Sequence, residues 1–344
     1  MQKNNFFKKS TLFVSVLILG LSISCKQKAT KPDIEIVDFT QTLDSLSNKR
    51  VLPQDIYMLK KQYGRFFNVW FSEIMDYNRY ANFPDSMVAT YFNYFVQQNK
   101  PMFKAMNAHY AIHNKWKNDL NESWQNLQTA IPNTPTPVVY GYFSQFSNYN
   151  TFVDTTKGQL ILGFSKEMFM NDTFPVYAML EVPDFFNRYN SPSQIPTMLI
   201  WNYIKSKFET EHNIKTMLEQ AVFEGKIWSL LQEVSPKSEV YDLLGYTKDE
   251  WKIMKLDQGQ MWRHFLENKL LFSSDFNSYK RYFVYGAHTF GAGIPADCPP
   301  MIGSFMGLQI VEAYRKATDC SYQQLFNEHD ASKILRLSGY NPVK

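Results

Sequence analysis

Ile131-Pro132-Asn133-Thr134-Pro135-Thr136-Pro137, running into Val138-Val139-Tyr140-Gly141-Tyr142-Phe143, is the stretch on which the fold turns. Three prolines in six residues remove backbone donors and restrict their neighbours, so no helix passes through it. Beyond it, Val138–Phe146 and Gln159–Phe164 are rich in β-branched and aromatic residues, and turn formers ending at Gly158 separate them. This texture predicts a small antiparallel pair in the middle of the chain.

On both sides the pattern is helical. Upstream, Pro53–Asp76 spaces Ile56, Leu59, Tyr63, Phe66, Phe67, Trp70, Phe71 and Ile74 at helical intervals behind an N-terminal proline. Asp85–Gln98 repeats the pattern, and Pro101–Leu127 reads as a long amphipathic stretch through Phe103, Met106, Tyr110, Trp116, Leu120, Trp124 and Leu127. Downstream of Pro175, helices are expected at about 196–209, 214–232, 247–271, 304–318 and 329–337. There is no internal repeat. The expected class is α+β, mostly α-helical, a small antiparallel sheet flanked by helices. Residues 34–131 would form an N-terminal helical layer and 132–344 a sheet-plus-helix core, together one compact unit.

The chain has 344 residues, enough for a full core, and its 14 Gly and 16 Pro beside 56 aromatics exclude a disordered or fibrous protein. The formal charge of +4 comes largely from Lys3, Lys8 and Lys9. No acid precedes Asp33, so without that segment the charge is +1. With no basic cluster, phosphate binding has nothing to stand on, and nucleic acid is excluded as a partner.

The N-terminus reads as an address. Lys8-Lys9 precede Leu12–Leu21, an apolar run too short to cross a bilayer, and small residues lead to Cys25. Residues 1–24 are therefore expected to be a lipoprotein signal peptide and 25–33 a lipidated Cys25 with its tether, although Ser22 stands where a lipobox usually has Leu. Acyl chains on Cys25 would anchor the protein stably to a lipid membrane. Lys26, Gln27 and Lys28 occupy the places where a surface-export signal would be acidic, which favours the outer membrane's periplasmic face. Cys298 and Cys320 remain. An oxidising compartment permits a disulfide closing a loop of about twenty residues; two separate thiols are the alternative.

Candidates for chemistry are sparse. His109 and His113 are four apart and share a helix face, the spacing of two metal ligands, but Tyr110 stands where a zinc hydrolase would place Glu. His212, His264, His288 and His329 are isolated and read as surface or capping residues. Neither a Gly-x-Ser-x-Gly elbow nor a Walker A loop occurs, and Gly286–Gly293 reads as a tight loop. Gly303 and Gly307 head a helix and permit close packing. Glu219 and Glu224 lie on one predicted helix, where Glu224-Gly225-Lys226 follows an apolar run.

The order of several motifs resembles the gliding-motility lipoprotein family GldB of Bacteroidetes. Tyr142–Val153 is similar to the family's strand segment, and Gln159–Phe169 to its Gly-containing strand and turn. Glu224-Gly225-Lys226, Leu243–Thr247, Trp262 with Glu267, Leu270–Ser274, Ile302–Tyr314 and Ile334–Pro342 follow in the family's order. Pro300 and Met301 replace its Gly-Arg and Leu308 its Trp, marking a divergent member. The family is itself similar to degenerate zinc metallopeptidases. That resemblance implies an inactive zincin-like fold, with Trp201, Asn202 and Lys205 in the slot of a metal-binding helix and Glu224 as the surviving ligand. A lone carboxylate holds no Zn²⁺. The resemblance thus implies a protein without catalytic residues or cofactor, working by contact with envelope proteins in gliding or secretion machinery. A hydrolase using His109 and His113, and a glycan-binding lipoprotein exploiting the aromatics, are the alternatives.

Overall fold

The computed structural model describes residues 33–342 apart from 81, 148–149, 172, 184–185, 187, 236–237, 285, 287, 290–292 and 295–297. The expected signal peptide, Cys25 and almost all of the tether fall outside these residues. Lys31–Lys344 forms one compact unit.

The chain enters through β1 (Glu35–Asp38) and turns at once into α1 (Phe39–Ser47). Asp38 caps that helix, its Oδ1 accepting from the Thr40 backbone N–H at 3.1 Å. Next come α2 (Pro53–Val69), extended by a wide turn over Trp70–Ile74, then α3 (Asp85–Ile112) and α4 (Trp116–Ala130). Strands β2 (Val138–Tyr142), β3 (Thr151–Asp154) and β4 (Ile161–Ser165) follow the proline run. The rest is helical: α5 (Pro175–Met179), α6 (Ile195–His212), α7 (Met217–Val234), α8 (Val240–Leu243), α9 (Lys248–Glu267), α10 (Phe276–Tyr279), α11 (Ile302–Thr318), α12 (Tyr322–Asn327) and α13 (Ala331–Ser338). The class is α+β and mostly helical, as the sequence indicates.

The sheet is not the expected antiparallel pair. It is four-stranded and mixed, in the order β1-β2-β4-β3. The two runs legible in sequence, β2 and β4, are parallel, with Val139 beside Leu162. The antiparallel partner of β4 is β3, with Phe152 opposite Gly163. The chain leaves β2, crosses to the outer edge as β3 and returns through a short turn at Gly158 (φ +84°) to fill the gap as β4. On the other side, β1 pairs in parallel with β2, Glu35 beside Val138. Four residues are too few to show a period of two, so the segment read as purely helical also supplies an edge strand. β2 and β4 are buried on both faces, which suits a parallel pair covered by helices.

Pro101 does not separate two helices either. α3 runs through it from Asp85 to Ile112, and the break comes at 113–115. The carbonyl that a proline leaves without a helical donor belongs to exposed Gln97, while Phe92, Phe95, Phe103 and Met106 pin both halves of the helix to the core.

An aromatic cluster welds the first helices to the sheet. Phe39 meets Tyr63 and Trp70 edge-on at 4.8 and 4.9 Å, Phe66 stacks on Tyr140 at 4.0 Å, and Trp70 Nε1 donates to the Phe143 carbonyl at 2.8 Å. Buried Lys166, just after β4, donates from Nζ to Asp38 Oδ2 at 2.7 Å and Thr40 Oγ1 at 2.8 Å, tying β4 to the start of α1.

In the C-terminal half α7 is the axis. It packs against α4, α6, α11 and α13, and it is buried on nearly every side. Thr216 and Glu219 cap it reciprocally: Thr216 Oγ1 accepts from the Glu219 N–H at 3.3 Å, and Glu219 Oε2 accepts from the Thr216 N–H at 2.8 Å. Glu219 is thereby a capping residue.

Candidate functional site

Consecutive residues on a helix project about 100° apart. On an ordinary surface helix one of Glu224, Gly225 and Lys226 would face water. On α7 all three are buried, and each serves a different neighbour. Gly225 lies against Gly307, where a side chain on either residue would strike the other helix's backbone. Lys226 points toward the C-terminal helices, donating from Nζ to the Glu328 carbonyl at 2.6 Å, with His212 Nε2 at 3.0 Å. Burial pulls its pKa down to about 8, against the pull of Glu328. Glu224 faces α6.

There it meets the residues that the resemblance set in the metal slot. Trp201 and Lys205 are one turn apart on α6; Gln220, Glu224 and Trp228 are each one turn apart on α7. Trp201, Lys205, Glu224 and Trp228 line an open cavity of about 300 Å³, together with Met198, Phe283, Met301 and Tyr189. The Trp201 and Trp228 ring centroids are 6.4 Å apart. Lys205 Nζ lies 4.9 Å from the centre of the Trp201 ring and 3.7 Å from Glu209 Oε1. Gln220 Nε2 donates to Glu224 Oε1 at 3.1 Å.

Burial dominates the electrostatics of Glu224. It raises the carboxyl's pKa to about 7, while Lys205, Gln220 and Trp228 hold it down and Glu209 adds a small push upward. The indole N–H groups of Trp201 and Trp228 are both shut off from solvent, and that of Trp228 acts on the Glu224 carboxyl. Lys205, Gln220 and Trp228 thus act together on one carboxyl that is half protonated near neutrality.

Three of the four slot residues, Trp201, Lys205 and Glu224, are brought together. Asn202 is not: one residue further round α6, it donates from Nδ2 to Thr151 Oγ1 of β3 at 3.1 Å. Trp228 was missed in the sequence, although its place four residues after Glu224 was a usable signal. Met198, Phe283 and Met301 carried none, because nothing local distinguishes them from core residues.

His109 and His113 do share a face, at the last turn of α3, with ring centroids 4.3 Å apart. Burial, His113 and Lys166 push the His109 pKa down to about 4. No third ligand joins them: among the described residues no three His, Cys, Asp or Glu side chains gather as a metal site would require. His264 is buried rather than superficial, its Nε2 2.8 Å from the Tyr282 hydroxyl. His212 Nδ1 contacts the Phe208 carbonyl and His329 Nδ1 that of Glu211. Gly286–Gly293 lies partly outside the described residues; within it, Thr289 donates to the Cys298 and Pro299 carbonyls. The Cys298–Cys320 disulfide is absent. Straight helix α11 stands between the two cysteines, its ends roughly 24 Å apart, whereas a bridge needs Cα atoms within about 7 Å.

Another buried carboxyl, Glu167, has a structural explanation. Its Oε1 accepts from the Ser144 N–H and hydroxyl, both at 2.7 Å, and from the Phe146 N–H at 3.2 Å, fixing the chain as it leaves β2.

A family model described as gliding motility protein GldB, a lipoprotein family by its label, matches residues 23–342. No curated protein and no solved structure matches the chain.

Proposed function

We propose, for a chain that belongs to the gliding motility protein GldB family, that it is an envelope lipoprotein anchored through Cys25 and acting by protein contact in gliding or secretion machinery. The family match over residues 23–342 carries this reading. The charged start, short apolar run and small residues before Cys25 support the anchor. No described helix is long and apolar enough to cross a membrane.

A non-catalytic role is supported by the donor set of the slot. An indole, an amide and an ammonium replace the ligands a zinc hydrolase needs, and the remaining carboxyl is half protonated near neutrality. The convergence of Trp201, Lys205 and Glu224 is what a decayed metallopeptidase site would leave behind. The outer membrane's periplasmic face is the proposed location.

Three measurements test this. A strain with Cys25→Ala as its only copy should lose palmitate labelling and membrane fractionation of the protein, together with spreading or secretion. Retention of the label would sink the anchor. Protease added to intact cells should leave the protein whole; cleavage would move it to the outer face. Purified protein should carry no zinc, and near-stoichiometric metal with chelator-sensitive melting would overturn the non-catalytic reading.

A further inference from the structure

We propose that the cavity between the exposed face of α3 and the turn that follows β2 binds a saccharide, one ring of which stacks on Tyr91 and Tyr94 while Gln98, Gln145 and Arg79 meet its hydroxyls. The inference does not depend on the anchor or on the machinery the protein serves.

The site begins with the spacing of α3. Tyr91, Tyr94 and Gln98 are each one turn apart and share a face, and Asn99 lies beside them, one turn after Phe95. Aromatic side chains on an amphipathic helix ordinarily turn inward, yet Tyr91 is 46% and Tyr94 72% exposed. Both stand at the edge of a cavity of about 270 Å³. Buried Phe71 and Phe92, stacked with centroids 6.4 Å apart, give it an apolar floor. Phe71 belongs to the wide turn Trp70–Ile74, where the Met75 N–H reaches back five residues to the Trp70 carbonyl at 2.9 Å. Such wide turns recur at functional sites.

The opposite wall carries strain. Gln145 and Phe146 both take left-handed backbone, at φ +56° and +57°, although neither is glycine. Buried Glu167 holds this geometry from inside, its Oε1 accepting from the Ser144 N–H at 2.7 Å and the Phe146 N–H at 3.2 Å. The residue between them, Gln145, is exposed at the cavity. Strain maintained by buried bonds clusters at ligand sites.

The lining decides the ligand's chemistry. It holds no carboxylate, so a cation has nothing to pair with, and Arg79, its one cation, is exposed and screened. A purely apolar ligand would strip water from the Gln98, Asn99 and Gln145 amides without replacing it. A peptide needs a free strand edge or a long apolar groove. This cavity is lined by helix and turn residues alone and lies at the small end for ligands. A sugar suits both halves of it. Its ring presents C–H groups that the negative face of a tyrosine attracts, and its hydroxyls donate and accept as the amides do. Gln98 and Gln145 make no side-chain hydrogen bond to described residues. Asn99 uses only Nδ2, donating to the Phe95 carbonyl at 2.8 Å, which keeps its Oδ1 as an acceptor.

The test uses the full chain in a non-ionic detergent that contains no sugar, and reads NMR saturation transfer to hexasaccharides of glucose, N-acetylglucosamine and galacturonic acid. An uncharged phenylalanine tripeptide is the control. Saturable transfer to the ring C–H protons of at least one hexasaccharide, below about 10 mM, is expected. Preference for galacturonic acid identifies an acidic sugar read by Arg79, and preference for either of the others a neutral one. Tyr94→Ala should weaken binding roughly tenfold and Tyr94→Phe very little, because the ring does the stacking. Gln145→Gly separates binding from folding. Glycine adopts φ +56° freely, so the melting midpoint should hold or rise while binding weakens about fivefold. Silence with all three hexasaccharides, undiminished binding by Tyr94→Ala or by Gln145→Gly, or preference for the tripeptide would each overturn the proposal.

Discussion

Replacing Gly307 by alanine should destabilise the protein, although a helix interior normally gains from that change. In an unconstrained helix, Gly→Ala adds about 1 kcal/mol of stability. Here α11 and α7 touch backbone to backbone. A Cβ on Gly307 would sit 2.5 Å from the Ala221 carbonyl carbon and nearer still to its oxygen; one on Gly225 would sit 2.7 Å from the Leu308 nitrogen. These are main-chain atoms and cannot swing aside, so the helices must part by about 1 Å or more. A gap of that size forfeits a quarter to a half of the dispersion well along the contact. Buried Leu218 and Val222 share the face of Gly225, and buried Ile310 and Val311 share that of Gly307. Overpacking costs about 1–3 kcal/mol, and the rigid backbone places this case at the upper end, giving a net loss of about 2 kcal/mol after the propensity gain. For a body of roughly 310 residues, with an unfolding entropy of about 2.1 cal/mol/K per residue, that lowers Tm by about 3 °C. Urea unfolding measures it directly, as a lower midpoint with an unchanged slope. Gly225→Ala should behave alike, and the double variant should lose less than the sum, because the helices separate once. Unchanged or raised stability for Gly307→Ala would refute the close crossing and with it the placement of Glu224.

Glu224 should impose a pH dependence on folding. Its folded pKa is raised from 4.5 to about 7, so between those values the unfolded chain releases its proton first and stability falls as pH rises, by about 3 kcal/mol in all. Lys205 and Glu209 of α6 are the charged groups acting on it. The difference in unfolding free energy between the parent and Glu224→Gln, followed from pH 5 to 8, should carry this slope; parallel curves would show that the carboxyl is not held in the cavity. His212 should titrate near 4, because burial, Lys226 and His329 all disfavour its charged form against the Phe208 carbonyl; stability then drops as pH falls from about 6.5 to 4. Its ring signals in NMR should move toward the ordinary range in Lys226→Met, and a ring titrating near 6.5 in the parent would contradict the packing. Lys166→Met should cost about 2–3 kcal/mol, since it strips Asp38 and Thr40 of a buried donor, and calorimetry reads it. Thermal unfolding should be indifferent to reducing agent, because Cys298 and Cys320 are not bridged.

What the sequence determined by itself was local. The proline run of 132–137 ended the helices where it stands, and the spacing of apolar residues placed α2, α6, α7, α9 and α11 to within a few residues. These signals are legible because each reports its own backbone dihedrals and the face it buries. The shared face of the histidine pair of α3 was legible for the same reason. What only the tertiary structure decided was partnership across long stretches of chain. Strand propensity says that a segment is extended and not what lies beside it, so β2 and β4 were recognisable while their parallel pairing, the insertion of β4 between β2 and β3, and the arrival of β1 from a hundred residues earlier were not. Pro101 passed inside a helix because core contacts on both sides outweighed a local rule. The motif Glu224-Gly225-Lys226 was visible as a string, but its use of three neighbours at once depends on α7 being surrounded, and only the packing of α4, α6, α11 and α13 around it settles that. The same packing carries Trp228 and Glu224 to Trp201 and Lys205. Side chains separated by a helix and its turn meet there because two helices cross, and a crossing is encoded by no residue alone.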